Sequence, residues 1–180
     1  MKIMSVFGTR PEIIRLSRIF ELLDNNFDHV MVNTSQNFTH ELNSVFFDEM
    51  KIRKPDYDMK VNTKEYAKEV ADVIIKAEKL LKKEKPDILL ILGDTNSGLS
   101  AIPAAYQGIK IAHLEAGMRS YDPRMPEEKN RVMIDHLSTV LLPYTQYSRE
   151  NLIRENIHPS KIYVVGNPII EVVQHYLPKI

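Results

Sequence analysis

The sequence predicts a doubly wound α/β domain on a mostly parallel sheet, and three observations predict it. Short, continuous apolar runs such as Ile88 to Leu92 read as strands buried on both faces. Longer stretches of helical period alternate with these runs, the pattern of a parallel sheet covered by helices. Polar, small-residue loops follow several of the runs, at the carboxyl ends where such sheets bind ligands.

The elements follow in order. Ile3 to Phe7 is the first strand, closed by Gly8, and Pro11 sits in the first turn of a helix that runs to about Leu23. Asn25-Asn26 breaks it. His29 to Asn33 is the second strand, and an amphipathic helix is expected over Thr39 to Met50, with Phe46 and Phe47 in the core. Lys51 to Asn62, with its lysines, Pro55 and Asp56, reads as an exposed connection. Asn62 or Thr63 is expected to cap the next helix, Asn62 having capping-box spacing to Glu65. That helix carries the stripe Ala67, Val70, Ile74, Ala77, Leu80 and Leu81 and stops at Pro86; its Lys82-Lys83-Glu84-Lys85 end is expected to be solvated.

After the Ile88–Leu92 strand, a small-residue helix runs to about Gln107, then a strand from Lys110 to Leu114. Pro126 opens another helix. Thr139 to Leu142 is a strand, Ser148 to Glu155 a helix, and Ile162 to Val165 a last strand before a final helical stretch. The whole is Rossmann-like, with residues 1–168 as the domain and 169–180 as the start of a connection to something further.

Composition excludes several function classes. The 24 basic and 24 acidic residues balance, so the chain lacks the basic excess of a nucleic-acid binder. There is no cysteine, which excludes disulfides and thiolate metal sites and fits a reducing cytoplasm. The apolar runs are too short to span a bilayer, and the start of the chain has no signal-peptide pattern. A cytoplasmic domain with no membrane and no nucleic-acid partner is expected.

Three loops could carry chemistry. Gly8-Thr9-Arg10-Pro11-Glu12 is either a phosphate-binding turn, with Arg10 as an anion fork, or a plain strand-to-helix turn with a surface arginine. Gly-x-Gly-x-x-Gly is absent among the six glycines, which argues against NAD held in the usual loop; no cofactor is expected. In Gly93-Asp94-Thr95-Asn96-Ser97, Asp94 either faces the crevice or caps the following helix. In the third, His113 and Glu115 share one face of an extended segment, and Glu127 and Glu128 fall in the first turn of a helix, where the dipole alone favours them. Asp94, Glu115 and Glu127 together at one crevice would have their pKa values driven apart, so that one accepts a proton while another donates. A metal site from His113, Glu115 and His136 has no compact ligand spacing, so no metal is expected; His136 reads as packed near the core or bonded locally.

At these same loops the chain resembles the non-hydrolysing UDP-N-acetylglucosamine 2-epimerase family. The segments that carry the resemblance are Val6-Phe7-Gly8-Thr9-Arg10-Pro11-Glu12, Gly93-Asp94-Thr95, His113-Leu114-Glu115-Ala116-Gly117-Met118-Arg119, Pro126-Glu127-Glu128-Lys129-Asn130-Arg131 and Val165-Gly166-Asn167-Pro168. They are collinear over nearly the whole chain. Arg10 to Arg18, Arg53 to Tyr57 and Gly93 to Ser97 look most like the branch that forms UDP-N-acetyl-L-fucosamine for capsule and O-antigen. The UDP-N-acetylglucosamine enzymes usually carry lysine in place of Arg15 and Gln-His-Arg in place of Gln36-Asn37-Phe38, a loop that in some of them binds an activating second substrate. The resemblance implies the N-terminal half of a two-domain GT-B fold, in chains about twice as long whose second domain supplies most of the UDP pocket. It implies a UDP-amino sugar as substrate, the chain's own C-terminal domain as partner and a homodimer as assembly. It assigns acid/base and sugar-orienting roles to Asp94, Glu115 and Glu127, and substrate contacts to Arg10, Arg15, Thr95, His113 and Arg119. A GT-B glycosyltransferase domain and a non-catalytic nucleotide-sugar binding module are the rival readings.

Overall fold

The computed structural model describes residues 1–35, 46–61 and 65–179. Six strands form one all-parallel sheet: β1 (Lys2–Phe7), β2 (Asp28–Asn33), β3 (Tyr57–Asp58), β4 (Ile88–Leu92), β5 (Lys110–Leu114) and β6 (Val140–Leu142). The helices between them are α1 (Arg10–Asn26), α2 (Tyr66–Glu84), α3 (Ala101–Tyr106), α4 (Pro126–Leu137), α5 (Gln146–Arg154) and α6 (Ile169–Tyr176). The sheet order is β3-β2-β1-β4-β5-β6, the order of dinucleotide-binding domains. It reverses direction between β1 and β4, and such a switch point opens a crevice above the strands' carboxyl ends.

Alternation along each strand sends side chains to two cores. Met4, Val6, Val30, Val32, Leu89 and Ile91 face one layer, built by Val73, Ala77 and Leu81 of α2 with Leu99, Ala104 and Ile134. Ile3, Phe7, Met31, Leu90 and Leu92 face the other, where α1 packs Ile13, Leu16 and Phe20. Strands buried on both sides have no polar face to spare, which is why they read as continuous apolar runs.

The differences from expectation have local causes. Val70, Ala77, Leu80 and Leu81 of the expected α2 stripe pack into the core and Val73 joins them, while Ala67 is exposed. Its N-cap is Glu65, and Asn62 lies outside the described residues. Of the helix expected over Thr39 to Met50, residues 46–49 are helical and 36–45 lie outside the described set, as does the Gln36-Asn37-Phe38 loop. Phe47 is buried and Phe46 packs beside it. The connection at Lys51 to Asn62 contains β3, held against β2 through the Val32–Tyr57 register, with the Asp56 carboxylate accepting from the Met31 N–H at 2.8 Å. At the end of α2, Glu84 accepts from Tyr57 and Lys2, so this stretch is not simply solvated.

No regular strand forms at Ile162 to Val165. Tyr163 and Val165 donate to the carbonyls of Leu141 and Pro143 at 2.9 and 3.0 Å, as a parallel neighbour would. The return bond between them needs an N–H at position 143, and Pro143 has none. The following α6 docks back on the domain: Val172 is buried, and the Tyr176 hydroxyl donates to the Met50 carbonyl at 2.8 Å.

Gly117 sits at φ +75°, and a Cβ there would lie 2.2 Å from the Ser148 carbonyl oxygen. Gly108 has a similar φ of +71° but opens on free space. Gly108→Ala should therefore cost only the left-handed backbone, about 1–2 kcal/mol, whereas Gly117→Ala should cost about 4 kcal/mol or more through backbone displacement. Urea unfolding of both variants tests this; equal losses would mean that the contact with Ser148 contributes nothing.

Candidate functional site

The polar residues converge above the carboxyl ends of β1, β4 and β5. The loop after β5 bends at Glu115, whose φ of +71° is a left-handed conformation uncommon for a non-glycine residue. Its N–H is held by the Leu142 carbonyl at 3.1 Å, and Gly93 backs against its carboxylate so closely that a Cβ at Gly93 would stand 3.0 Å from Glu115 Oε2. The strain is thus over-determined by β6 on one side and the β4 loop on the other.

Arg15, from α1, reaches across and donates through Nη1 to Glu115 Oε2 at 2.6 Å. Burial pushes the Glu115 carboxyl above the usual carboxylate range; Arg15 and His113 act against this and Asp94 with it, and the balance stays raised. The Tyr144 hydroxyl is buried beside this pair; burial and the Glu115 charge raise its pKa, and Arg15 acts against them. Asp94, after β4, ion-pairs with Arg131 of α4 at 2.5 Å, and Arg131 also holds Glu128 at 3.1 Å. Asn130 supports the same loop by donating to the Asp94 carbonyl at 3.0 Å.

The structure brings Asp94, Glu115 and Arg15 together, with Thr95 and His113 close by on the same two segments. Glu127 is exposed on the first turn of α4, and its side chain has no hydrogen bond or ion pair among the described residues. Its neighbour Glu128 turns inward and accepts from the N–H groups of Ser120 and Tyr121 at 2.9 and 3.0 Å. Burial disfavours that charge, but these bonds and Arg131 outweigh it and hold the carboxyl below its ordinary range. Arg10 is exposed at the start of α1. Thr95 is engaged by Glu12, its hydroxyl donating to Oε1 at 2.9 Å.

His113 and Arg119, expected to touch the substrate, are buried and occupied by protein partners. His113 is 0% exposed, with Nδ1 2.7 Å from Asp135 and Nε2 2.8 Å from the Gly93 carbonyl. Both ring nitrogens are thus taken by protein partners. Arg119, its side chain 1% exposed, bonds Asp135 at 2.8 Å and forks onto Glu155 at 2.7 and 2.6 Å. Asp135 also accepts from the Gly117 N–H at 3.1 Å. Burial opposes its charge, but His113 and Arg119 prevail and hold the carboxyl below its usual value. His136 is exposed on α4, 3.4 Å from Glu155, and not near the core. Among the described residues no three histidine or acidic side chains converge to hold a metal ion.

The residues missed from sequence are Glu12, Glu128, Arg131, Asp135 and Tyr144. Glu12 carried a legible signal: Thr9-Arg10-Pro11-Glu12 has the spacing of a capping box, and the Glu12 carboxylate does reach back to the Thr9 N–H at 2.7 Å. Asp135 and Tyr144 carry none, because their partners lie on other elements.

The family model for UDP-N-acetylglucosamine 2-epimerase matches residues 21–180. Among curated relatives, UDP-N-acetylglucosamine 2-epimerase of Methanocaldococcus jannaschii is 41% identical over 95% of this chain and 47% of its own length. UDP-2,3-diacetamido-2,3-dideoxy-D-glucuronate 2-epimerase of Pseudomonas aeruginosa is 34% identical over 93% of this chain and 49% of its own length. Of solved structures, the Rickettsia bellii UDP-N-acetylglucosamine 2-epimerase superposes with a TM-score of 0.94 at 45% identity, covering 99% of this chain and 48% of that one. The M. jannaschii enzyme in complex with UDP-GlcNAc and UDP gives 0.96 at 39%, over 99% and 50%. A lipopolysaccharide outer core galactosyltransferase gives 0.67 at 17% identity over 92% of this chain and 45% of that one, a likeness of fold alone. The chain spans about half the length of the curated relatives it matches.

Asp135→Asn takes one of two carboxylates from the buried Arg119, which keeps its fork onto Glu155, and should cost about 2–3 kcal/mol of unfolding free energy at pH 7. Because the folded carboxyl titrates below its unfolded value of about 3.9, the contribution is complete above that pH and fades as pH falls through the folded pKa. The difference between wild type and variant in urea melts should therefore shrink below about pH 4. A difference that stays constant from neutral to strongly acidic pH would remove the charge from the account.

Proposed function

Because this chain belongs to the UDP-N-acetylglucosamine 2-epimerase family, we propose that it forms the N-terminal half of an enzyme that inverts carbon 2 of a UDP-N-acetylhexosamine. In this reading residues 1–168 are the domain and 169–180 begin the connection to a second half that completes the UDP pocket. The observation that carries the reading is the Arg15–Glu115 pair beside Asp94: a carboxylate with a raised pKa, fixed by a strained backbone, next to a second carboxylate tied to its own arginine.

The chemistry needs such an arrangement. The proton on carbon 2 has no adjacent carbonyl to acidify it, so its loss is coupled to departure of UDP from carbon 1. Elimination gives a 2-acetamidoglycal; UDP then returns to the face of carbon 1 that it left, and a proton is delivered to the opposite face of carbon 2. A carboxylate with a raised pKa is the stronger base for the first transfer and the nearer match to neutral pH for the return. Glu115 and Asp94 fill the acid/base roles. Glu127, exposed on α4, orients the sugar from the side that faces the second half. Arg10 and Arg15 contact the nucleotide-sugar. The sugar is UDP-N-acetylglucosamine or the 6-deoxy-L nucleotide of the fucosamine branch, and the working assembly is a homodimer in the cytoplasm. No helix of the described residues is long and apolar enough to cross a membrane. By itself the chain should turn over little or no substrate.

In the full-length protein, Asp94→Asn and Glu115→Gln should each lower turnover about a hundredfold or more. The assay is carbon-2 deuterium uptake from heavy water, with UDP-N-acetylglucosamine and the 6-deoxy-L-sugar nucleotides as substrates. Uptake at the wild-type rate in either variant removes that residue from proton transfer. Arg15→Gln supplies a second check: Arg15 holds the Glu115 pKa down, so its loss should shift the kcat/KM limb that reports Glu115 to higher pH. A limb that stays in place or moves to lower pH would show that Glu115 is not the group being titrated.

A further inference from the structure

Ligands of doubly wound sheets usually sit where the strand order reverses, with an anion on the first loop and on the helix amides behind it. In this sheet that position lies between β1 and β4. It is filled by the chain's own carboxylate. Glu12, 1% exposed, accepts at Oε2 from the Gly8 N–H at 3.0 Å, the Thr9 N–H at 2.7 Å and the Thr9 hydroxyl at 2.8 Å. At Oε1 it accepts from the hydroxyls of Thr95 and Ser97 at 2.9 and 2.6 Å.

The two oxygens thus serve two different loops. Oε2 satisfies the loop after β1, which carries Arg10, and Oε1 satisfies the loop after β4, which carries Asp94. A carboxylate that accepts from every side is fixed in both position and orientation, and charge-assisted bonds of this kind are about twice as strong as neutral ones. The Gly8 and Thr9 N–H groups that would greet a phosphate are already taken. Arg15 and Glu115, by contrast, meet over the next strand, β5.

We propose that Glu12 is a positioning residue for the reaction: it replaces the ligand anion at the strand-order reversal and sets the Arg10 loop against the Asp94 loop, so that the reacting sugar lies over β4 and β5. The role rests on the reaction proposed above. Without the link, the group that anchors the nucleotide and the group that moves the proton drift relative to each other. The eliminated UDP and the unsaturated sugar then separate more often before re-addition.

The test uses the full-length protein with Glu12→Gln, which keeps the shape but turns donors toward donors, and Ser97→Ala, which deletes one bond and is expected to leave the fold intact. The readout is the amount of free UDP plus 2-acetamidoglycal released per molecule of epimerised product. That ratio does not depend on how much of the enzyme is folded, so a merely structural role would not move it. We expect a rise of about fivefold or more in Glu12→Gln, a smaller rise in Ser97→Ala, and a fall in kcat larger than any change in KM. Hydrogen exchange should quicken together in residues 8–12 and 93–98 of Glu12→Gln. A release ratio unchanged in both variants, or exchange that quickens in only one of the loops, overturns the role while wild-type carbon-2 exchange leaves the reaction standing. A wild-type protein with no carbon-2 exchange on any UDP-amino sugar removes the reaction, and this role with it.

Discussion

The constraint on which the rest of the site depends is the burial of Asp135. A carboxylate removed from water must be met by charge or by N–H groups. Here it is met by His113 from β5, Arg119 from the following loop and the Gly117 N–H. His113 passes the constraint on to the Gly93 carbonyl, and Arg119 passes it to Glu155 beyond α5. One side chain of α4 thereby fixes the ends of β4 and β5 relative to each other. The exposed helix pairs, such as Lys82 with Glu78, contribute well under about 1 kcal/mol each and decide nothing about the site.

Much of the fold was legible because the central strands, buried on both faces, are mostly apolar, and the few polar residues in them, such as Ser5 and His113, are met by hydrogen bonds. β1, β2, β4 and β5 therefore stand out as apolar runs, and Pro11 and Pro126 mark the helices that follow them. The edges were less legible. β3 has only two residues, and what pins it is Asp56 on the Met31 N–H, a contact between segments that no local pattern announces. At the other edge the apolar run Ile162 to Val165 looks like a strand, and the missing N–H of Pro143, some twenty residues earlier, prevents the ladder from closing.

The site was legible as loops more than as roles. Asp94 and Glu115 stand at strand ends, where the sheet must deliver them. Whether a neighbouring polar group faces solvent, ligand or protein depends on the partner it meets in three dimensions. His113 and Arg119 belong to the same motif as Glu115, yet the first two turn inward to Asp135 and the third meets Arg15. Glu127 and Glu128 are adjacent on one helix turn, so they must point apart, and it is Glu128 that the Ser120–Tyr121 turn captures. The first loop follows the same logic: its amides already have an anion of their own in Glu12.

The left-handed backbone at Glu115 has a consequence for evolution. Glycine alone occupies that conformation without penalty, so the sequence most comfortable at this bend is one that lacks a carboxylate. Backbone comfort and the proposed reaction thus pull position 115 in opposite directions. Were the proposed reaction no longer selected for, glycine at this bend would relieve the backbone but give up the ion pair with Arg15, so position 115 would report which of the two demands still acts.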